Sequence, residues 1–163
     1  MQANNEIYFE VTDLWKLLCE EHSLMFNLVS DEYLLLLDSK IEELEKVVVE
    51  KKVVINRIAK LELLRQRLIK KINSSLKAQE QIKSVNDLIR FLGTNPIERE
   101  QKHFLRFNTL LNKTIEKLKH QNKRNQLFLN KAMISLNDWK KAALGHKSFS
   151  TYNSSGETIS KGV

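Results

Sequence analysis

Glycine and proline are scarce in this chain of 163 residues, which has four glycines and one proline. Neither occurs between Met1 and Leu92, so that stretch lacks the residues that usually mark turns. Aromatic residues make up only 7% of the chain, while charged residues make up 29%. This balance favours long helices with narrow apolar stripes. We therefore predict an all-α fold, an elongated antiparallel helical bundle of long coiled-coil-like helices and one short helix, with a flexible C-terminal tail.

The residue groupings that catalytic and metal sites need are also missing. Cys19, the single cysteine, cannot form an internal disulfide, and its helical surroundings predict a small buried side chain. HExxH motifs, cysteine pairs and glycine-rich phosphate loops do not occur. The four histidines share no metal-ligand spacing: His22, His103, His120 and His146. We predict no catalytic, cofactor-binding or metal-binding residues, and no enzymatic activity.

Long apolar runs are absent as well. The N-terminus reads MQANNEIYFE, which is polar and acidic, unlike a secretion signal. The longest apolar runs are a few residues, far shorter than a membrane span. The sequence therefore predicts a cytoplasmic, soluble protein without membrane insertion.

Charge is distributed unevenly. Residues 1–50 contain twelve acidic and three basic residues, whereas residues 51–163 contain eight acidic and twenty-four basic ones. Either an acidic helix packs beside basic helices, or a basic face binds an acidic partner or nucleic acid. Basic tract 51–71 has no aromatic residue for base stacking, which disfavours nucleic acid.

Apolar residues at helical spacing predict two long helices in the first half of the chain. The first spans residues 7–37. A break follows at Asp38 and Ser39, where Ser39 and Glu42 form a capping-box pattern. The second helix spans residues 40–72. Its predicted apolar stripe comprises Leu44, Val48, Ile55, Ile58, Leu61, Leu68 and Ile72.

A short helix and a third long helix follow a polar stretch at residues 73–84. Ser84 and Asp87 begin the short helix, which Gly93 ends. Pro96 lies in the first turn of the last helix, residues 97–144. That helix carries a heptad ladder with spacings of four and three: Phe104, Asn108, Leu111, Ile115, Leu118, Asn122, Asn125, Leu129, Ala132, Leu136, Trp139 and Ala143.

Two asparagines interrupt this ladder. A buried asparagine fixes the register of packed helices because only one alignment gives it a partner. We therefore assign Asn122 and Asn125 to bundle register. The alternative is that the seam opens there and both asparagines face solvent or a partner.

The C-terminal segment HKSFSTYNSSGETISKGV, residues 146–163, is rich in serine and threonine and is predicted to be disordered. Phe149, Tyr152 and Ile159 are spaced through it like the apolar anchors of a segment that folds on a partner. An ordinary disordered chain end is the alternative.

The whole chain resembles the FlgN family of flagellar export chaperones. The likeness is carried by helix 41–68, by the Asn-x-x-Asn pattern that precedes an apolar helix, and by the tail. The residues concerned are Leu61, Glu62, Arg65, Asn122, Asn125, Tyr152, Asn153 and Gly156. The family usually has glycine directly after the tyrosine. Here that residue is asparagine, which also tolerates a left-handed turn.

This resemblance implies a cytoplasmic chaperone of flagellar type III secretion. It would bind the C-terminal helical segments of the hook–filament junction proteins FlgK and FlgL and prevent their premature association. It would also deliver them to the export gate FlhA and exchange with a coiled-coil component of the export ATPase. The family implies no cofactor and no enzymatic activity.

The expected organisation is a helical bundle at residues 1–145 and a cargo-binding tail at residues 146–163. The hypothetical cargo line continues the last helix into the tail: Leu136, Trp139, Ala143, Phe149, Tyr152, Asn153, Gly156 and Ile159. The alternative function is a generic coiled-coil adaptor or stalk protein without a cargo tail.

Overall fold

A computed structural model describes residues 2–144, 150–152 and 158–160, and it confirms the all-α fold. Met1–Asn125 form one compact unit and Gln126–Val163 a second. The division into a helical bundle at residues 1–145 and a cargo-binding tail at residues 146–163 stays a prediction. The elements are α1 (Gln2–Leu37), α2 (Ile41–Ser74), a 3₁₀ turn (Ala78–Glu80), α3 (Val85–Gly93), α4 (Pro96–Gln101), α5 (His103–Leu144), β1 (Ser150–Tyr152) and β2 (Thr158–Ser160).

Helices α1 and α2 lie antiparallel, and ion pairs along their length join acids of α1 to bases of α2. The interpretation that the acidic helix packs beside a basic one is therefore confirmed for α1 and α2. The more exposed of these pairs stabilise little individually, whereas the pair nearest the α1–α2 turn is largely buried. The pairs are Glu10–Lys71, Glu21–Arg57 and Glu32–Lys51.

Helix α5 lies parallel to α1 within the first unit. The Trp15 indole nitrogen donates to Asn108 Oδ1 at 3.2 Å near the start of α5. Further along both helices, Asn125 Nδ2 donates to the Val29 carbonyl at 2.8 Å. Cys19 is buried as predicted.

The core of the first unit is apolar and draws on α1, α2, α3 and α5. Its largest group surrounds Trp15, whose ring meets Phe104 edge-to-face at 5.0 Å between centroids. A second group lies further along the helices around Val29 and Val54. Burial of these side chains is the main stabilising contribution.

The turn between α1 and α2 does not contain the predicted capping box of Ser39 and Glu42. That prediction is wrong. Ser39 has a left-handed backbone with φ of 56°, whereas an N-cap residue needs an extended one. The N–H of Lys40 donates to the Leu35 carbonyl at 3.0 Å, and that of Ser39 to the Leu36 carbonyl at 3.4 Å. This Schellman pattern ends α1, and Lys40 caps α2 without a side-chain bond.

The buried stripe of α2 is displaced by one residue in two places. Val48 and Ile55, which the sequence placed in the stripe, are exposed, while Val47 and Val54 point inward. Together with the half-buried Lys51 and Arg65, the inward positions alternate at spacings of three and four residues, as in coiled coils. The inward apolar residues are Leu44, Val47, Val54, Ile58, Leu61, Leu68 and Ile72.

The predicted helix 97–144 is divided in two at Lys102, which has φ of 52°. The carboxylate of Glu98 is buried and accepts the N–H groups of Phe104 and Leu105, each at 3.1 Å. An anionic group at these N–H groups stabilises the start of a helix. Glu98 therefore caps α5, besides lying in the first turn of α4.

Ser84 and Asp87 form the capping box that begins α3. The Asp87 N–H donates to the Ser84 hydroxyl at 3.2 Å, and the Ser84 N–H donates to Asp87 Oδ2 at 2.9 Å. The Ser84 hydroxyl, and then the Lys83 N–H, hold the pKa of Asp87 below its usual range.

A lowered carboxyl pKa stabilises the folded state at neutral pH, and this contribution is lost as pH falls through the folded-state pKa. We expect Asp87→Asn to reduce the free energy of unfolding at pH 7, and the deficit to shrink below about pH 4. Urea titrations followed by circular dichroism across this range measure the difference. Asp31→Asn, at an exposed position, is the control, and a deficit at Asp87 that is independent of pH contradicts the assignment.

Asn125 is 4% exposed, and its amide nitrogen also donates to Glu32 Oε2 at 2.8 Å. Asn125→Asp replaces this donor by a second carboxylate, and we expect it to lower the free energy of unfolding by about 2–4 kcal/mol at neutral pH. The control, Asn122→Asp, lies on the exposed surface of the same helix and should change it by less than about 0.5 kcal/mol. Equal effects at both positions in urea unfolding would show that the Asn125 contacts are unimportant.

Candidate functional site

The heptad ladder of α5 changes character at Asn125. Before it, the apolar ladder positions are buried or half-buried: Phe104, Leu111, Ile115 and Leu118. After it, every predicted ladder position with a described side chain is exposed: Leu129, Ala132, Leu136, Trp139 and Ala143. One continuous sequence pattern thus supplies a core in its first part and an apolar surface in its second.

We name the large side chains of this surface the apolar arm: Leu129, Met133, Leu136 and Trp139. Spacings of four, three and three residues place them on one side of α5. Leu136 is 63% and Trp139 69% exposed. Met133 is also exposed and was missed by the ladder because it lies one residue beside Ala132.

Trp139 differs sharply from Trp15, the other tryptophan of the chain. Trp15 is 2% exposed and satisfies its indole N–H on Asn108. Tryptophan is the side chain most enriched among residues that dominate binding energy, and contiguous exposed apolar surface marks interaction sites. The apolar arm is therefore the candidate partner-binding surface of the second unit.

Helix α5 has further exposed apolar side chains in this region. Leu127 and Ile134 are exposed and, seven residues apart, lie on the side of the helix opposite the apolar arm. They provide a comparison because they are apolar and similarly exposed on the same helix.

The two asparagines of the ladder have different surroundings. Asn125 is buried and hydrogen-bonded to α1, and it accepts a hydrogen bond from Gln121 at 3.0 Å. Asn122 is exposed rather than in the seam where the ladder placed it. Assignment of either residue to bundle register stays a prediction.

The described part of the C-terminal segment forms a two-stranded antiparallel ribbon. Strand β1 pairs with β2 in a register that sets Tyr152 against Thr158 and Thr151 against Ile159. Three other residues of the predicted cargo line, Phe149, Asn153 and Gly156, lie outside the described residues. A role of this segment in cargo binding stays a prediction.

The described ranges 2–144, 150–152 and 158–160 were also compared with the requirements of metal binding, membrane crossing and thiol reactivity. They contain no group of three His, Cys, Asp or Glu residues placed to hold a metal ion. No helix among them combines the length and hydrophobicity required to cross a membrane. Burial raises the pKa of the Cys19 thiol, which disfavours the reactive thiolate.

An all-α fold that presents an exposed amphipathic helix segment is typical of proteins that bind other helices. The chain matches the model of a protein family described as FlgN protein over residues 7–159, from α1 through the apolar arm into β2. It belongs to the FlgN family, whose members are flagellar export chaperones and not enzymes. No curated protein and no solved structure matches the chain.

Proposed function

We propose that this protein is a cytoplasmic chaperone for the hook–filament junction proteins FlgK and FlgL. It binds their C-terminal helical segments, prevents their premature association and delivers them to the export apparatus. The observation that supports this most strongly is the exposure of the apolar arm on α5. In the same proposal, FlhA receives the cargo and a coiled-coil component of the export ATPase exchanges with the chaperone.

The physical basis of cargo binding is the pairing of two apolar helix stripes. A cargo helix whose apolar stripe has no partner before assembly exposes surface that favours self-association. Laying that stripe on the apolar arm removes both surfaces from water, at ~1.5–3 kcal/mol for each large side chain that becomes fully buried. Loss of translational freedom and side-chain ordering offset part of this gain.

The cargo line in this proposal begins on the helix and continues into the C-terminal segment. Leu136, Trp139 and Ala143 form the helical part, and all three are exposed. Anchors in the segment close over the cargo. The complete line is Leu136, Trp139, Ala143, Phe149, Tyr152, Asn153, Gly156 and Ile159.

The contribution of the apolar arm is tested by Leu136→Ala/Trp139→Ala in calorimetric titrations with a peptide from the C-terminal helix of FlgK or FlgL. We expect affinity to fall about 30-fold, which corresponds to ~2 kcal/mol for two truncated anchors. The control is Leu127→Ala/Ile134→Ala, which removes similar exposed side chains from the opposite side of α5 and should leave affinity nearly unchanged. If both variants weaken binding equally, the arm has no special role.

The contribution of the C-terminal segment is tested separately by a chain that ends at residue 145 and by Phe149→Ala/Tyr152→Ala. Both should bind the same peptide more weakly than the full chain, because anchors that close over the cargo are gone. Equal binding by the full and shortened chains confines the site to the bundle and favours a coiled-coil adaptor without a cargo tail. Failure of the full chain to bind either cargo peptide rejects the proposed function.

A further inference from the structure

Helix α5 carries a second unusual surface in the first unit. The side chains of Lys102, Arg106, Lys113 and Lys117, here called the basic stripe, are all exposed. Leu110 lies among them and is 48% exposed. Within α5, successive spacings of four, three and four residues place Arg106, Leu110, Lys113 and Lys117 on one side of the helix over ~16 Å, and Lys102 directly precedes the helix.

The four cations of the basic stripe differ from three cations of α2 that form ion pairs with α1. Lys51, Arg57 and Lys71 of α2 pair with acids of α1. Among the carboxylates whose side chains the structure describes, none lies within ion-pair distance of a basic-stripe cation. Glu116, which directly precedes Lys117, pairs instead with Lys119 at 3.6 Å.

One pair within the stripe, Lys113 with Lys117, places like charges four residues apart in α5. Such a pair slightly destabilises a helix. Carboxylates of a bound partner would remove that repulsion, and nothing in the described intramolecular contacts does so.

A shallow groove of about 400 Å³ accompanies the stripe. Leucines supply its apolar surface and three stripe cations stand at its edges. An apolar side chain of a partner can enter it while acids on either side of that side chain reach the cations. The lining residues are Lys102, Leu105, Arg106, Thr109, Leu110 and Lys113.

We propose that the basic stripe is a docking surface for an acidic amphipathic helix of a partner protein. Acids at spacings of three and four residues on that helix pair with the cations, and one apolar side chain between them contacts Leu105 and Leu110. This surface is independent of the apolar arm and does not rest on the proposed cargo.

A protein helix fits this surface better than the other polyanions. Sequence-tolerant binding to single-stranded nucleic acid uses aromatic side chains for stacking, and the stripe contains none. Binding in the plane of a membrane requires a helix to bury a broad apolar face in lipid. The broad apolar face of α5 is occupied in the bundle, where Phe104 and Leu111 are buried.

The probe is a synthetic helical peptide of about 20 residues, long enough to lie along the stripe. It carries glutamates at spacings of three and four and a central leucine, and a control peptide has glutamine in place of each glutamate. We expect the full-length protein to bind the glutamate peptide, with affinity that falls as salt rises, and the glutamine peptide at least about tenfold more weakly.

Lys113→Glu/Lys117→Glu should weaken binding of the glutamate peptide by about tenfold or more, because two attractions become repulsions. The matched control is Lys60→Glu/Lys70→Glu, which makes the same change in net charge at exposed positions of α2 and should retain affinity within about twofold. Lys113→Gln/Lys117→Gln removes the two charges without reversing them and should lower the affinity for the glutamate peptide by a smaller factor. This variant is used if circular dichroism shows that Lys113→Glu/Lys117→Glu is unfolded. Cargo-peptide binding, measured on the same variants, should not change.

Three results overturn the proposal. One is absence of binding to the glutamate peptide, and another is an equal loss in both charge-reversal variants, which reports net charge alone. The third is equally tight, stripe-dependent binding of vesicles of anionic phospholipid or of a single-stranded oligonucleotide, which would identify a general polyanion site.

Discussion

The contact among Glu32, Lys51 and Asn125 joins all three long helices at one point. Lys51 Nζ lies 2.8 Å from Glu32 Oε2, and Asn125 donates to the same carboxylate oxygen at 2.8 Å. Both charged side chains are largely buried. A buried ion pair adds little net stability, since desolvation opposes it, yet misalignment would leave a charge without a partner. We therefore expect this contact to disfavour other registers of α1, α2 and α5.

Contacts with α1 mark the part of the α5 ladder that belongs to the core. Asn125 donates to the Val29 carbonyl of α1, and the Arg124 guanidinium lies 4.1 Å from the centre of the Tyr33 ring. Apolar residues of the same periodicity are buried or half-buried before Asn125 and exposed in the apolar arm. The two parts of the ladder therefore differ in packing and not in sequence pattern.

The contrast between the buried and the exposed part of this ladder shows how much of the fold and of the candidate site could be predicted from the sequence. Periodicity located the three long helices and the ladder, and the Ser84–Asp87 pair located the start of α3. Periodicity could not separate core from surface along α5, because a heptad pattern does not state whether its partner is in the same chain. Trp139 belonged to the predicted cargo line through its ladder position, but its exposure depended on the tertiary arrangement.

Local ambiguity accounts for the other differences. Runs of adjacent apolar residues at 47–49 and 53–55 allow more than one inward face, and neighbours differ by only about 100° around the helix. The packing of α1 and α5 selected Val47 and Val54. The break at Lys102 had no glycine to indicate it. There Glu98, six and seven residues before Phe104 and Leu105, accepts the N–H groups of both residues at the start of the next helix, a cap that the usual N-cap patterns do not include.

The two surfaces proposed for α5 rest on different forces. Apolar contact at the arm depends on removal of surface from water and is little affected by moderate salt. Attraction at the basic stripe depends on charges that remain exposed to solvent and falls with a Debye length of about 8 Å at physiological ionic strength. Charge complementarity mainly raises association rates and selects partners, whereas buried aromatic and aliphatic anchors slow dissociation. A protein that must hold one helix firmly and meet another partner briefly gains from keeping these two kinds of contact on separate residues, because each affinity can then change without altering the other.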